Sequence, residues 1–184
     1  MDVSVSFPAR LCAARHCALA AFALALAACA TSQPAPPTPA SLTAATPQQQ
    51  VAAVRAAAGD GEGELAIQPL RDPKVEDLRE KAQRLETQQY YDEAASTLDQ
   101  ALEIVPDDPA LLQERAEAAL LLGDHVQAEA LARRAFDTGS QVGPLCRRHW
   151  ATIEQSRLLE GDAAGAATAK KQVDQCTVAG VNRF

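Results

Sequence analysis

The sequence predicts an all-α protein built from a short stack of about three helix-turn-helix hairpins. Small and apolar residues recur at one fixed interval, the distance from Leu78 to Leu112, and a fixed period of this size is typical of stacked two-helix units. The aligned pairs are Leu78 and Leu112, Ala82 and Ala116, Ala94 and Ala128, and Ala101 and Ala135. Although 47% of the chain is hydrophobic, only 4% is aromatic. Much of the apolar content is alanine, which favours helices packed at close range.

Start and stop signals divide residues 71 to 140 into two hairpins. Asp72 and Asp108 are each followed by proline, which predicts an N-cap acceptor and a first helical residue that needs no amide partner. Pro106 ends the second helix, and Gly123 is expected to end the third in a left-handed conformation. Asp124, three residues before a glutamine, predicts a capping box for the fourth helix.

The third hairpin is predicted to be longer and to end the stack. Gly161 follows Gly123 by more than the repeat interval, and the excess is about one helical turn. Glu154 and Arg157 occupy positions where the first two copies have alanine or leucine, and polar terminal repeats are common in such arrays. We therefore expect a repeat domain over residues 71–176, followed by a loose tail over residues 177–184.

In its spacing, small residues and closing proline, this segment resembles the tetratricopeptide repeat family. The resemblance implies a right-handed solenoid that binds proteins, with the first helix of each pair lining a concave groove. The positions it implies for the groove are Glu76, Arg79, Gln83, Glu86, Gln113, Glu117, Leu120, Arg148, Gln155 and Leu158. The alternative is that these residues only form the solvated faces of the helices.

Residues 1–28 are predicted to be a signal peptide. Arg10 and Arg15 precede an apolar run that is too short to span a bilayer, and this run ends Leu-Ala-Ala before Cys29. The ending resembles the lipobox of bacterial lipoproteins, which implies a lipid-modified Cys29 at the mature N-terminus. Because Ala30 is not aspartate, the family's sorting rule implies the outer membrane, facing the periplasm. The alternatives are an ordinary secretory peptide and an uncleaved anchor.

Residues 29–70 are predicted to be the lipidated N-terminus and a flexible linker. Five prolines lie between residues 31 and 47, a composition that stays extended and cannot form a core. Residues 48 to 58 are expected to form at most a marginal helix, ended by Gly59. Leu65, Ile67 and Leu70 either lie across the first hairpin or remain disordered.

Two cysteines, Cys146 and Cys176, remain after the signal peptide and Cys29 are set aside. Gly161 lies midway between them in the chain, so an antiparallel hairpin that turns there places both thiols at the same height. In an oxidising compartment this spacing predicts a disulfide. The alternatives are free thiols and a metal site formed with His149, which lacks a fourth ligand.

The sequence contains no set of residues that indicates catalysis. We expect no enzyme, cofactor, metal or small-molecule substrate, and we expect His125 to have a packing role. The net charge of −7 gives no basic surface for nucleic acid. The leading hypothesis is a membrane-tethered periplasmic adaptor or assembly factor that binds an envelope protein or peptide through its groove. The alternatives are a self-associating structural lipoprotein and, least favoured, an envelope hydrolase.

Overall fold

Seven helices and no strand make up the residues that the computed structural model describes, 40–59 and 72–177. They are α1 (Pro47–Ala57), α2 (Pro73–Thr87), α3 (Tyr91–Ile104), α4 (Pro109–Leu121), α5 (His125–Thr138), α6 (Gly143–Glu160) and α7 (Ala163–Gln175). The predicted all-α repeat fold is therefore confirmed. The signal peptide, Cys29, the cluster around Ile67 and the last residues of the tail lie outside the described residues.

Most of the predicted helix boundaries are found in the structure. The Asp108 carboxylate accepts the amides of Ala110 and Leu111 at 2.8 and 2.9 Å, and the Asp124 carboxylate accepts that of Gln127 at 3.0 Å. Gly123 adopts a left-handed φ of 78°, which a residue with a Cβ would find strained. Helix α3 begins at Tyr91, and no side chain caps it.

The repeat brings the helices of each hairpin together through small residues. α2 packs on α3, α4 on α5 and α6 on α7. All six alanines of the aligned pairs are buried, the most accessible being Ala82 at 3%. With no side chain larger than a methyl group at these positions, the two backbones approach closely. The aligned alanines therefore lie at the helix-helix contacts.

The third hairpin contains the predicted extra turn, because α6 has 18 residues where α4 has 13. Trp150 packs edge-on against Phe136 of α5, with ring centroids 5.1 Å apart. Arg157 pairs with Glu129 of α5 at 3.2 Å and donates to the Gly165 carbonyl at 3.0 Å. This arginine therefore joins the second and third hairpins instead of facing solvent only.

A disulfide joins Cys146 near the start of α6 to Cys176 after α7. Both residues are buried, and their Cα atoms lie 5.7 Å apart. The Gly143 amide also donates to the Cys176 carbonyl at 2.7 Å. No group of three or more potential metal ligands is found in the described part of the chain. In the same residues, no helix has the length and hydropathy needed to cross a bilayer.

Residues 40–59 differ from the flexible linker that the sequence predicts. They contain α1, which begins with a complete capping box: the Thr46 hydroxyl accepts the Gln49 amide, and the Gln49 side chain accepts the Thr46 amide. Val51 and Val54 are 3% and 0% exposed. An isolated helix of 11 residues is marginal in water, so burial of its apolar side stabilises it. This segment is part of the folded domain.

Candidate functional site

The first helices of the three hairpins, α2, α4 and α6, share one face, and α1 lies on part of it. α1 runs antiparallel to α6. Before the helix, the Leu42 amide donates to the Leu158 carbonyl at 2.8 Å. After it, Arg147 Nε donates to the carbonyls of Ala57 and Ala58 at 3.1 and 3.0 Å. We call the surface of α4 and α6 beneath α1 the covered half of this face.

Glu117 is the centre of a buried polar network in the covered half. Its side chain is 0% exposed. Its Oε1 accepts hydrogen bonds from Gln113 Nε2 at 2.9 Å and from Arg148 Nε at 2.9 Å. Its Oε2 accepts one from Arg55 Nε of α1 at 2.8 Å. A buried carboxylate is tolerated only when it is paired and hydrogen-bonded, and here three helices supply the donors.

His149 extends the network between α4 and α6. Its Nδ1 lies 2.7 Å from Gln113 Oε1, while Gln113 Nε2 donates to Glu117 and to Thr152 Oγ1. Because the amide nitrogen is thus assigned as donor, Nδ1 carries the hydrogen. Burial, reinforced by the nearby Arg148 charge, lowers the pKa of His149 from 6.5 to about 3. The imidazole is therefore neutral at neutral pH.

Arg55 connects α1 to the first hairpin as well. Its Nη1 and Nη2 donate to the two carboxylate oxygens of Glu86 at 2.8 and 2.9 Å, a bidentate geometry typical of strong arginine pairs. The hydrogen bond to Glu86, followed by the charge of Glu117, raises the pKa of Arg55 despite partial burial. A single side chain of α1 thus binds carboxylates on α2 and α4.

Beside α1, the same face forms an open pocket of about 460 Å³, which we call the open half. α2, α3 and α4 form it, together with the end of α1 and Arg148 of α6. Its floor consists of small or apolar buried residues, and its rim is polar. The floor contains Ala82, Ala94, Leu98 and Ala118, and the rim contains Arg55, Arg79, Gln83, Glu86, Thr87, Glu114 and Arg148.

The charges on the rim of the open half are already paired. Arg79 Nε donates to Glu114 Oε2 at 2.9 Å, Arg79 Nη2 pairs with Glu114 Oε1, and Arg79 Nη1 pairs with Glu76 at 3.0 Å. These bonds, chiefly those to Glu114, raise the pKa of Arg79. The pocket rim therefore offers both hydrogen-bond donors and hydrogen-bond acceptors, and its positive and negative charges are balanced.

The predicted groove residues divide between the two halves. Arg79, Gln83 and Glu86 lie on the rim of the open half, as the resemblance implies. Gln113 and Glu117 are both 0% exposed, so neither is presented to solvent as a groove surface. α6 packs over Gln113, and α1 reaches across to Glu117.

Five predicted positions remain. Glu76 of α2 pairs with Arg79, and Leu120 of α4 is 0% exposed. The other three, Arg148, Gln155 and Leu158, are on α6, and two functional candidates were missed. Arg148 borders both halves, whereas Gln155 is half-buried and does not line the pocket. The missed residues are Arg55 and Glu114. Glu114 stands one repeat interval after Glu80, which is not a predicted groove position, so the period gave no signal for it. For Arg55, the only signal is its position directly after Val54 and four residues after Val51.

Comparisons with known proteins agree with this architecture. The tetratricopeptide repeat family matches residues 75–118. Among solved structures, the globular C-terminal domain of P. aeruginosa LpoP is similar, with 33% sequence identity and a TM-score of 0.54. The similarity covers 57% of this chain and 99% of that domain. No curated protein gives a significant match.

The fold and its concave face define a helical-repeat protein of the tetratricopeptide type, whose class consists of protein-interaction modules. With this identity over nearly the whole of the LpoP domain, the chain belongs to the same family as the C-terminal domain of LpoP.

Proposed function

We propose that this protein is a membrane-tethered periplasmic adaptor or assembly factor that binds another envelope protein through the open half of its concave face. The observation that carries the proposal is the pocket of about 460 Å³ on the shared face of the first helices. Pockets with an apolar floor and a few polar rim groups are typical binding sites. The fold supports a protein partner, because repeat proteins of this kind use such faces to bind polypeptides.

The chemistry of the open half favours a neutral stretch of polypeptide. Ala82, Ala94 and Leu98 on the floor can accept an apolar side chain. Gln83 and Glu86 on the rim can hydrogen-bond the main-chain amides beside it. Arg79 is already neutralised by Glu114, so a free carboxylate would have to displace a bound one. Capture of a peptide C-terminus is therefore not part of the proposal.

The tether is proposed from the sequence. Lipidation of Cys29 would anchor the protein to the outer membrane on the periplasmic side, and multiple acyl chains give stable anchoring. The Cys29→Ser variant, expressed behind a secretory signal peptide whose cleavage does not depend on that cysteine, tests this step. We expect the variant to move from the membrane fraction to the soluble periplasm. A variant that stays in the membrane fraction would contradict the lipid anchor.

A pair of matched variants tests the pocket. Gln83→Arg places a longer, charged side chain at the pocket rim. Gln100→Arg makes the same change at an exposed position of α3 outside the pocket. After mild crosslinking in the envelope, we expect specific proteins to co-purify with the wild type and with Gln100→Arg, and to be lost from Gln83→Arg. Equal recovery with all three would exclude the open half as the binding site.

The alternative is self-association through the first or last hairpin. Among the described residues, the large exposed apolar side chains include only Ile104 in a helix of the first hairpin and none in α6 or α7. This surface gives the alternative little support. Light scattering over a range of protein concentrations separates the two functions, because only self-association makes the molar mass rise with concentration.

A further inference from the structure

We propose that the covered half is a binding site for an α-helix, that α1 is its exchangeable occupant, and that an amphipathic helix of a partner protein displaces α1. The partner helix has the chemistry that the site recognises in α1: apolar residues at positions i and i+3, an arginine at i+4, and a C-terminus close behind. This inference concerns the covered half, which meets the open half at Arg55, Glu86 and Arg148.

The site recognises features that many helices can supply. Val51 and Val54 belong to one buried apolar cluster with residues of both hairpin helices, among them Ala119 and Leu120 of α4 and Ala151 of α6. Glu117 and Glu86 receive Arg55. Arg147 donates to the last carbonyls of the helix, and every helix ends with carbonyls that lack partners within it. An arginine there also complements the negative end of the helix dipole.

α1 buries little apolar surface for a helix packed on a domain. Val51 and Val54 are its only buried apolar residues. Gln50 is also buried, at 2% exposed, and its Oε1 has no hydrogen-bond partner among the described residues. An unpaired buried polar atom opposes docking. The same helix with an apolar residue at this position would therefore bind more tightly.

The charged side chains of the covered half keep hydrogen-bond partners when α1 leaves. Glu117 loses Arg55 but keeps the bonds from Gln113 and Arg148, which belong to the repeat hairpins. Glu86 is already 28% exposed and gains water. Arg147 loses the carbonyls of Ala57 and Ala58, but the departure of α1 also opens its guanidinium to water. Departure of α1 thus leaves no charged group both buried and unpaired. Exchange therefore requires no rearrangement of the hairpins.

A labelled peptide of residues 44–59 serves as the probe, and its affinity for the full chain is measured by fluorescence anisotropy. In the Val54→Asp variant the chain's own α1 no longer docks, so the site is free. Val126→Asp is the matched control, because Val126 is 64% exposed. We expect the peptide to bind Val54→Asp at least tenfold more tightly than the wild type or the control, since an occupied site lowers apparent affinity.

Two peptide variants test which side chains of α1 the covered half recognises. A peptide with Arg55→Glu should lose at least tenfold in affinity for the Val54→Asp chain. A peptide with Gln50→Leu should gain about fivefold. Equal binding of all three peptides, or no binding to a folded Val54→Asp chain, would overturn the proposal. So would a wild-type chain whose dimer is lost in Val54→Asp, because the occupant would then be α1 of a second copy.

Hydrogen exchange on the wild-type chain tests the inference without any variant. We expect amides of α1 to exchange at least tenfold faster than those in the middle of α4, because α1 opens without the hairpins. Equal protection of both helices would overturn the proposal. These results are independent of the co-purification experiment, so failure of either proposal is distinguishable from failure of the other.

Discussion

In the open half Gln83 is exposed to solvent, while in the covered half Glu117, which holds the same position in the next repeat, is fully buried. Arg79 and Gln113 form a second such pair, with side chains 13% and 0% exposed. The repeat gives each pair the same place on its helix. The difference therefore arises from what lies above the helix: solvent over α2, and α6 with α1 over α4.

Position within a repeat therefore does not determine whether a residue can bind a partner. The same helical face serves as surface in one copy and as interior in the next. Burial changes the required chemistry, since Glu117 needs donors from Arg55, Arg148 and Gln113, whereas Gln83 can be satisfied by water. Four experiments test this difference between the two halves.

The largest effect is expected from removing the disulfide that anchors α6, the helix that forms one wall of the covered half. The Cys146→Ser, Cys176→Ser double variant should lose about 3–4 kcal/mol of unfolding free energy, because the loop closed by the bond spans 30 residues. Urea unfolding followed by circular dichroism measures the loss. As a first check, reduction of the wild-type chain should add 2 hydrogens, a mass gain of about 2 Da. No gain would mean that the bond does not form.

Acidification should weaken the covered half through His149. Its folded pKa of about 3 lies below the ordinary value of 6.5, so the unfolded chain binds a proton that the folded chain excludes. Stability is then complete above pH 6.5 and falls as the pH drops towards 3. From pH 7 to pH 5 the loss should be about 2 kcal/mol. In the His149→Gln variant this part of the pH dependence should disappear, and an unchanged slope would contradict the assignment.

Truncating the contact between α1 and the hairpins should have a smaller effect. Val54→Ala removes two methyl groups' worth of buried surface and should cost about 1.5 kcal/mol. The same change at the exposed Val126 should cost less than about 0.5 kcal/mol. Thermal unfolding of both variants measures the difference. Equal effects would indicate that α1 does not contribute to the folded domain.

The smallest effect is expected in the open half. Gln83→Arg should change the unfolding free energy by less than about 0.5 kcal/mol, because the side chain is exposed. The same holds for Gln100→Arg. A large destabilisation by the first variant would mean that the pocket rim is part of the core, and it would remove the contrast between the halves.

The repeat domain could be predicted well because its signals are local. The capping aspartates, Gly123 and the alanine pairs act within one helix or one hairpin, so their spacing fixes the elements. The cysteine spacing likewise predicts a pairing that the structure contains. The candidate site was predicted only in part, since Arg79, Gln83 and Glu86 line the pocket but Gln113 and Glu117 do not.

The number, order and boundaries of the hairpin helices follow from local sequence signals, because helix caps and small-residue periodicity depend on neighbours a few residues apart. Only the tertiary structure decided that α1 packs on α4 and α6, that Arg55 pairs with Glu86 and Glu117, and that half of the concave face is buried. The reason is physical: α1 has too few apolar residues to indicate a core element, and its partners lie 31 and 62 residues away in the chain.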